Sequence, residues 1–284
     1  MEVRNCRMPY RLIVSDMDDT LLNERGLLSE ATVKAIEAAR AAGAELVLAS
    51  GRMPCAMRSF SKELKVTLPM IAYNGAELVD PATDEIIYRL HVSPELSLEV
   101  IEYCEELGLH VQAYDGDYFL TPVDNELARE YRDSVYGVAL MRNMDQPLSG
   151  CVNWSQPKLL AITTGGKERT AELLDLIKKR FEGRLICAIS RPNYIECISP
   201  DAGKERALRE LCAQLGVAPE EVVAFGDGQN DVGMIKFAGL GVAVANAREE
   251  VRAQADMVAP SNHEDGVAQV IMQLLKEGKI GKGA

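Results

Sequence analysis

Blocks of consecutive apolar residues, rather than alternating ones, mark the two ends of this chain. Leu12-Ile-Val-Ser15, Glu45-Leu-Val-Leu-Ala-Ser50, Met70-Ile-Ala-Tyr73 and Glu221-Val-Val-Ala-Phe225 each read as a short strand buried on both faces. Leu240 to Val244 and Met257-Val258 extend the series. Between these blocks the period changes to that of a helix. Ser29 is placed to cap a helix whose apolar face is Val33, Ile36, Ala39 and Ala42, and Gly43 stops it. Met53 to Leu64 also reads as a helix. Ala207, Leu208, Leu211, Cys212 and Leu215 line another, which ends at Gly216, and Val267 to Leu275 is a closing helix. Strands alternating with helices predict an α/β fold with a Rossmann-like, doubly wound parallel sheet.

The pattern breaks at the Asp80 to Asp84 cluster of turn-forming residues. Ser93 to Leu107 is predicted as a helix with Leu96, Val100, Ile101, Cys104 and Leu107 on one face. Val111 to Leu120 reads as a hairpin with Asp115-Gly116 in its turn. Lys158 to Thr163, Arg184 to Ile189 and Tyr194 to Ile198 read as strands, and Lys167 to Phe181 as a helix. Paired strands beside helices predict an α+β module over residues 82–195, inserted into a domain formed by 1–81 and 196–284. Gly278 to Ala284 is expected to be a frayed tail.

Composition narrows the partners. Of 284 residues, 31 are Lys or Arg and 43 are Asp or Glu, a formal charge of −12, which disfavours nucleic acid or an anionic membrane as the main partner. No apolar stretch approaches the roughly 18 residues of a membrane span. Seven scattered cysteines without a C-x-x-C pair fit reduced thiols in a cytoplasmic protein. Nothing in the sequence favours a homodimer over a monomer. With this charge, a small anionic substrate needs local cations or a metal.

The first strand runs into Asp16, Asp18 and Asp19. Asp16 and Asp18 share one side of the pleat if the extended geometry persists past Ser15, while Asp19 faces elsewhere. Two acids so placed repel unless a cation or a proton lies between them; the alternative is a helix N-cap run before Thr20. Ser50, Lys204 and the pair Asp227/Asp231 share the same address, at the carboxyl ends of strands or the adjoining helix starts, where open α/β sheets bind ligands. Asp16, Asp227 and Asp231 would form an oxygen-only site suited to Mg²⁺; alternatively, Asp227-Gly228 is a turn with a capping Asp. Phosphoryl transfer needs this set: a nucleophile, a cation and donors for the equatorial oxygens.

Asp16-Met-Asp18-Asp-Thr20, Ser50-Gly-Arg, a lysine at a later helix start and Gly226-Asp-Gly-Gln-Asn-Asp231 resemble the four motifs of the haloacid dehalogenase superfamily. The insertion is similar to that of Cof-type phosphatases with a type IIB cap over the catalytic crevice. The resemblance implies a Mg²⁺-dependent phosphatase acting on small phosphorylated metabolites, either sugar or cofactor phosphates. Asp16 would attack phosphorus, and Asp18 would protonate the leaving alcohol and then activate water. Ser50, Gly51, Lys204 and Asn230 would bind the phosphoryl group; Asp16, the Asp18 main-chain carbonyl and Asp227 would hold the metal, with Asp231 in support. A phosphomutase using the same aspartyl phosphate is the nearest alternative, and a receiver-type signalling module is a more distant one.

Two features depart from the family pattern. Asp19 stands where many relatives have Gly, and Gly-Lys-Glu-Arg occurs at both Gly166 and Gly203. Lys204 is preferred over Lys167 because it opens the helix leading to the Asp227 strand. His91, His110 and His263 are isolated and read as structural, and Trp154 as packing. Tyr114, Asp115, Asp117 and Tyr118 are either specificity residues or an exposed turn.

Overall fold

The computed structural model describes residues 9–135 and 138–281. Arg4, Cys6, Arg7 and the last three residues of the tail lie outside them. The chain divides into two compact units, one comprising Met1–Gly51, Arg58–Ile87 and Gly203–Ala284, the other Arg52–Met57 and Tyr88–Ala202.

The first unit begins with β1 (Leu12–Asp16), every residue of which is buried, as expected of a central strand covered on both faces. Ser29 accepts a hydrogen bond from the Thr32 amide and so starts α1 (Glu30–Ala42); Gly43, at φ +101°, ends it. Then come β2 (Glu45–Ala49), α2 (Arg58–Glu63), β3 (Met70–Ala72), β4 (Glu77–Val79) and β5 (Ile86–Arg89). Met53 to Leu64 is not one helix. Pro54, with no N–H to donate, opens a separate turn at Pro54–Ala56 before α2.

The second unit contains α3 (Pro94–Glu106), β6 (His110–Asp115), β7 (Tyr118–Thr121), α4 (Glu126–Ser134), β8 (Leu140–Asn143), β9 (Leu159–Ile162), α5 (Gly166–Arg180), β10 (Ile186–Arg191) and β11 (Tyr194–Ile198). Its sheet runs β10-β11-β9-β6-β7-β8. Apolar side chains of α3 and α5, among them Ile101, Leu173 and Ile177, join Phe181 just past α5 and Val111, Leu159 and Ile195 of the sheet in one core. The hairpin loop is Gly116-Asp117 rather than Asp115-Gly116, because Asp115 still pairs with Tyr118 and Gly116 takes φ +57°. Cys187 and Cys197 face one another across β10 and β11, and all six cysteines among the described residues are free.

The chain returns to the first unit with α6 (Lys204–Leu215), β12 (Val222–Gly226), α7 (Val232–Phe237), β13 (Leu240–Val244), α8 (Glu249–Arg252), β14 (Met257–Ala259) and α9 (Gly266–Lys276). Its sheet has the order β14-β13-β12-β1-β2-β3-β4-β5. The strands from β14 to β3 are parallel, and β4 returns antiparallel to β3. From β1 the chain builds outward through β2 and β3 on one side and, after the second unit, through β12, β13 and β14 on the other. The strand order therefore reverses between β1 and β12, and a crevice opens at their carboxyl ends. Residues 278–281 are not frayed: Ile280 is buried and bridges Tyr10, whose amide donates to the Lys279 carbonyl at 2.7 Å. Among the described residues, no helix is long and apolar enough to cross a membrane.

Candidate active site

The reversal point carries the acids. Asp16 ends β1, and Gly226-Asp227 ends β12 beside it. The Lys204 ammonium at the start of α6 donates to Asp16 Oδ1 at 2.5 Å and to Asp231 Oδ1 at 2.7 Å. Lys204 and Asp231 are each 1% exposed and Asp16 6%, so these are contacts made almost without water. The loop after β12 folds back on itself. Asp231 Oδ2 accepts from the Asp227 amide at 3.1 Å and the Gly228 amide at 2.9 Å. Glycine is required at Gly226 by space, since a Cβ there would lie 2.4 Å from the Asp231 Cβ. Thr20 Oγ1 donates to Asp227 Oδ1 at 2.9 Å. A carboxylate oxygen from each of Asp16, Asp227 and Asp231 lies within 4.8 Å of the others.

Three carboxylates thus face one ammonium. Burial, followed by repulsion from Asp231 and Asp227, pushes Asp16 well above the ordinary carboxylate range, and only Lys204 opposes it. Burial and Asp231 raise Asp227 to about 6. Burial works against the Lys204 charge, but Asp16 and Asp231 outweigh it and hold the ammonium above its usual value. The negative excess, with oxygen as the only donor element, fits a hard divalent cation. Both oxygens of Asp231 already receive protein hydrogen bonds, so it is better placed as a brace than are Asp16 and Asp227.

The turn after Asp16 departs from the sequence expectation. The strand ends at Asp16, and Met17–Leu21 forms one wide turn, in which Asp18 has φ −70° and ψ 132°, closed by the Leu22 amide on the Met17 carbonyl at 2.9 Å. Asp19 sits in the left-handed region at φ +58°, and both Asp18 and Asp19 are exposed. Asp16 and Asp18 are therefore not partners on one pleat. Asn246 Nδ2 donates to the Asp19 carbonyl at 2.7 Å and Asn262 Nδ2 to the Leu22 carbonyl at 2.9 Å, tying the turn down from the far end of the chain.

Ser50, buried after β2, donates its amide to the Ile71 carbonyl at 2.8 Å and accepts at its own carbonyl from the Asn74 amide at 2.9 Å. Asn230 is exposed, and its Nδ2 donates to Asn74 Oδ1 at 2.9 Å. Gly51 passes so close to Asn74 that a Cβ would meet its side-chain nitrogen at 3.0 Å. The structure thus brings Asp16, Lys204, Asp227 and Asp231 together directly, and links Ser50, Gly51 and Asn230 through Asn74. Lys167, by contrast, is exposed at the start of α5 in the second unit. The histidines lie outside this set: His110 is buried, and His91 meets Ser155 Oγ at 3.1 Å. Tyr114 is buried, its hydroxyl 3.0 Å from that of Tyr131, and Trp154 Nε1 donates to the Tyr114 carbonyl. Sequence reasoning missed Thr20, Asn74 and Asn246 as site-shaping residues; Thr20 and Asn74 do follow strand ends, but Asn246 carries no local signal.

A profile described as haloacid dehalogenase-like hydrolase matches residues 13–271. The 5-amino-6-(5-phospho-D-ribitylamino)uracil phosphatase YcsE of Bacillus subtilis (strain 168) is 28% identical over 271 residues, 95% of this chain and 98% of that one. The pyridoxal phosphate phosphatase YbhA of Escherichia coli (strain K12) is 28% identical over 277 residues, 93% of this chain and 98% of that one. The crystal structure of a haloacid dehalogenase-like hydrolase from Bacteroides thetaiotaomicron superposes with a TM-score of 0.84 at 30% identity, covering 93% of this chain and 99% of that one.

Proposed function

The chain belongs to the haloacid dehalogenase-like hydrolase family, and on that premise we propose a phosphatase that cleaves small phosphomonoesters through an aspartyl phosphate. The observation that carries this reading is the Lys204 ammonium held between Asp16 and Asp231 at the strand-order reversal. Asp16 must be ionised to act as a nucleophile, and the Lys204 ammonium favours that form against burial and the neighbouring acids, which raise its pKa. The Asp16 carboxylate attacks phosphorus, the ester P–O bond breaks, and the departing alkoxide takes a proton from Asp18. Asp18, now ionised, takes a proton from water, whose oxygen attacks the aspartyl phosphate; inorganic phosphate leaves and the Asp16 carboxylate is restored. The Ser50 hydroxyl, the Gly51 amide, Lys204 and Asn230 are the proposed donors to the phosphoryl oxygens.

Mg²⁺ would be held by Asp16, Asp227 and the Asp18 main-chain carbonyl, with Asp231 as brace, and when bound it neutralises charge on the phosphoryl oxygens. The second unit is the proposed source of selectivity for the alcohol portion of the substrate. Relatives named for pyridoxal phosphate and for a ribityl phosphate support small phosphorylated metabolites as the substrate class. The free thiols support a cytoplasmic protein.

The test is phosphate release from sugar phosphates, pyridoxal phosphate, flavin mononucleotide and the ribitylaminouracil phosphate, with Mg²⁺ or with chelator. Wild type is expected to release phosphate only with the metal, and Asp16→Asn to release none while remaining folded. Phosphate release by Asp16→Asn at the wild-type rate would overturn the reading, and an isomerised sugar phosphate without free phosphate would replace it with the mutase.

A further inference from the structure

The turn Tyr73–Gly75, between β3 and β4, belongs to none of the recognised motifs, yet three site segments converge on it. Its residues take φ of +49° at Tyr73, +57° at Asn74 and +91° at Gly75, three left-handed residues in succession. Glycine and asparagine take this conformation readily, whereas an aromatic residue does so rarely. The turn is tied to the site at its second and third residues. The Asn74 amide donates to the Ser50 carbonyl at 2.9 Å, Asn74 Oδ1 accepts from Asn230 Nδ2 at 2.9 Å, and the Asn74 amide group closes over Gly51. At the next residue a Cβ on Gly75 would lie 2.2 Å from the Gly203 carbonyl oxygen and 2.8 Å from the Lys204 nitrogen, so α6 begins in direct backbone contact with this turn.

We propose that Asn74 is a positioning residue, which through its amide side chain sets the spacing between the Ser50-Gly51 donors and the loop that carries Asn230 and Asp231. The proposal rests on the phosphatase reading of the same site, in which those two segments bind opposite sides of one phosphoryl group. Asn74 itself touches no reacting atom. Its backbone fixes Ser50 from the carbonyl side, while the Ile71 carbonyl fixes it from the amide side. The Asn74 side-chain oxygen then sets how far Asn230 stands from that strand end. Gly75 contributes the third spacing by allowing the first residue of α6 to seat, and that residue is Lys204. One left-handed turn is therefore the common reference for three groups that must close on a tetrahedral anion with small tolerance.

The experiment compares Asn74→Gly, which tolerates the positive φ but removes the amide, with Asn74→Asp, which keeps an acceptor oxygen, with Asn230→Ala, and with the Asn74→Gly/Asn230→Ala double variant. With p-nitrophenyl phosphate and Mg²⁺, Asn74→Gly is expected to lower kcat about 10- to 100-fold with a much smaller change in KM. The double variant is expected to lose less than the product of the two single losses, because the Asn74–Asn230 bond is shared by both while the contact of Asn230 with the phosphoryl group is lost with Asn230→Ala alone. Amide hydrogen exchange on the same proteins reads the bracket without turnover. Asn74→Gly should speed exchange in both the 48–53 and 226–231 segments, and Asn74→Asp should restore protection. Wild-type kcat in Asn74→Gly, multiplying losses in the double variant, or unchanged exchange in the two segments would each overturn the proposal. If wild type itself releases no phosphate while the exchange responses appear as stated, the phosphatase reading fails and the bracket stands.

Discussion

Lys204 carries a full positive charge into a place that water barely reaches, and both of its hydrogen bonds end on carboxylates. The contact favours the ionised form of the nucleophile, against the burial and the two neighbouring acids that together hold its pKa above the ordinary range. The opposite arrangement surrounds His110. Asn125 Nδ2 approaches its Nδ1 at 3.3 Å, and Thr121 Oγ1 lies 3.2 Å from its Nε2. The Thr121 hydroxyl proton is committed to the Val123 carbonyl and Asn125 Oδ1 to the Ala128 amide, so Asn125 presents an N–H to Nδ1, and the Gln112 Nε2 lies 3.5 Å from the ring Nε2. A second ring proton at Nδ1 would face an amide donor, and burial lowers the pKa below the ordinary 6.5. The unfolded imidazole takes up a proton first, so stability is fully present above about pH 6.5 and declines as pH falls from there, until the folded ring protonates as well. Urea melts between pH 7.5 and 5 should show His110→Gln losing less stability with acid than wild type, by at most about 1.4 kcal/mol per pH unit. Parallel pH profiles would remove His110 from the account.

At the scale of elements, the site is a set of strand ends and the turns that follow them. The loop after β12 is the tightest, because Asp231 packs against the backbone of Gly226 while accepting from two amides of the same loop. Gly226→Ala is therefore expected to destabilise the protein by about 1–3 kcal/mol and to cut kcat more than 10-fold by shifting Asp231 off Lys204. Thermal melts and initial rates on the variant check both; a variant with wild-type values would mean that the loop yields. The strands β1, β2 and β12 and the caps of α1 were legible because their signals are local: an unbroken apolar run, Ser29 three residues before the amide it caps, Gly43 at a left-handed stop. Asp16, Lys204, Asp227 and Asp231 could be read as a group from their shared address at strand and helix ends. The wide turn after Asp16 could not, since it hinges on Asp19 adopting a left-handed conformation that alternation along a strand does not anticipate. Nor could the bond from Thr20 to Asp227 or from Asn230 to Asn74, which join residues 207 and 156 positions apart. The strands β4 and β5 were missed because the Asp80 to Asp84 turn residues between them suggested an end to the sheet.

For the whole molecule, the carboxylate excess makes stability answer to metal. Without a cation, repulsion among Asp16, Asp227 and Asp231 opposes folding; with one, binding to the folded state adds stability by mass action, about 2.7 kcal/mol at one hundred times the dissociation constant. Mg²⁺ should therefore raise the melting temperature of wild type, and chelator should reverse the rise. Asp227→Asn should melt at or above the metal-free wild type, since a buried charge is gone, yet respond little to Mg²⁺. A wild-type-sized shift in that variant would place the cation elsewhere. A different consequence follows from the parallel bridge between Tyr10 and Ile280. It brings the first and last described stretches of the chain side by side, so a short peptide linker from residue 281 to residue 9 could close the polypeptide into a ring. Reopened at the two-residue Gly116-Asp117 loop, the ring becomes a permuted chain in which the first unit is interrupted only by Arg52–Met57 and the second is split at its hairpin. Synthesis of the acid-bearing unit in that order would then show whether its folding depends on the detour now built into it.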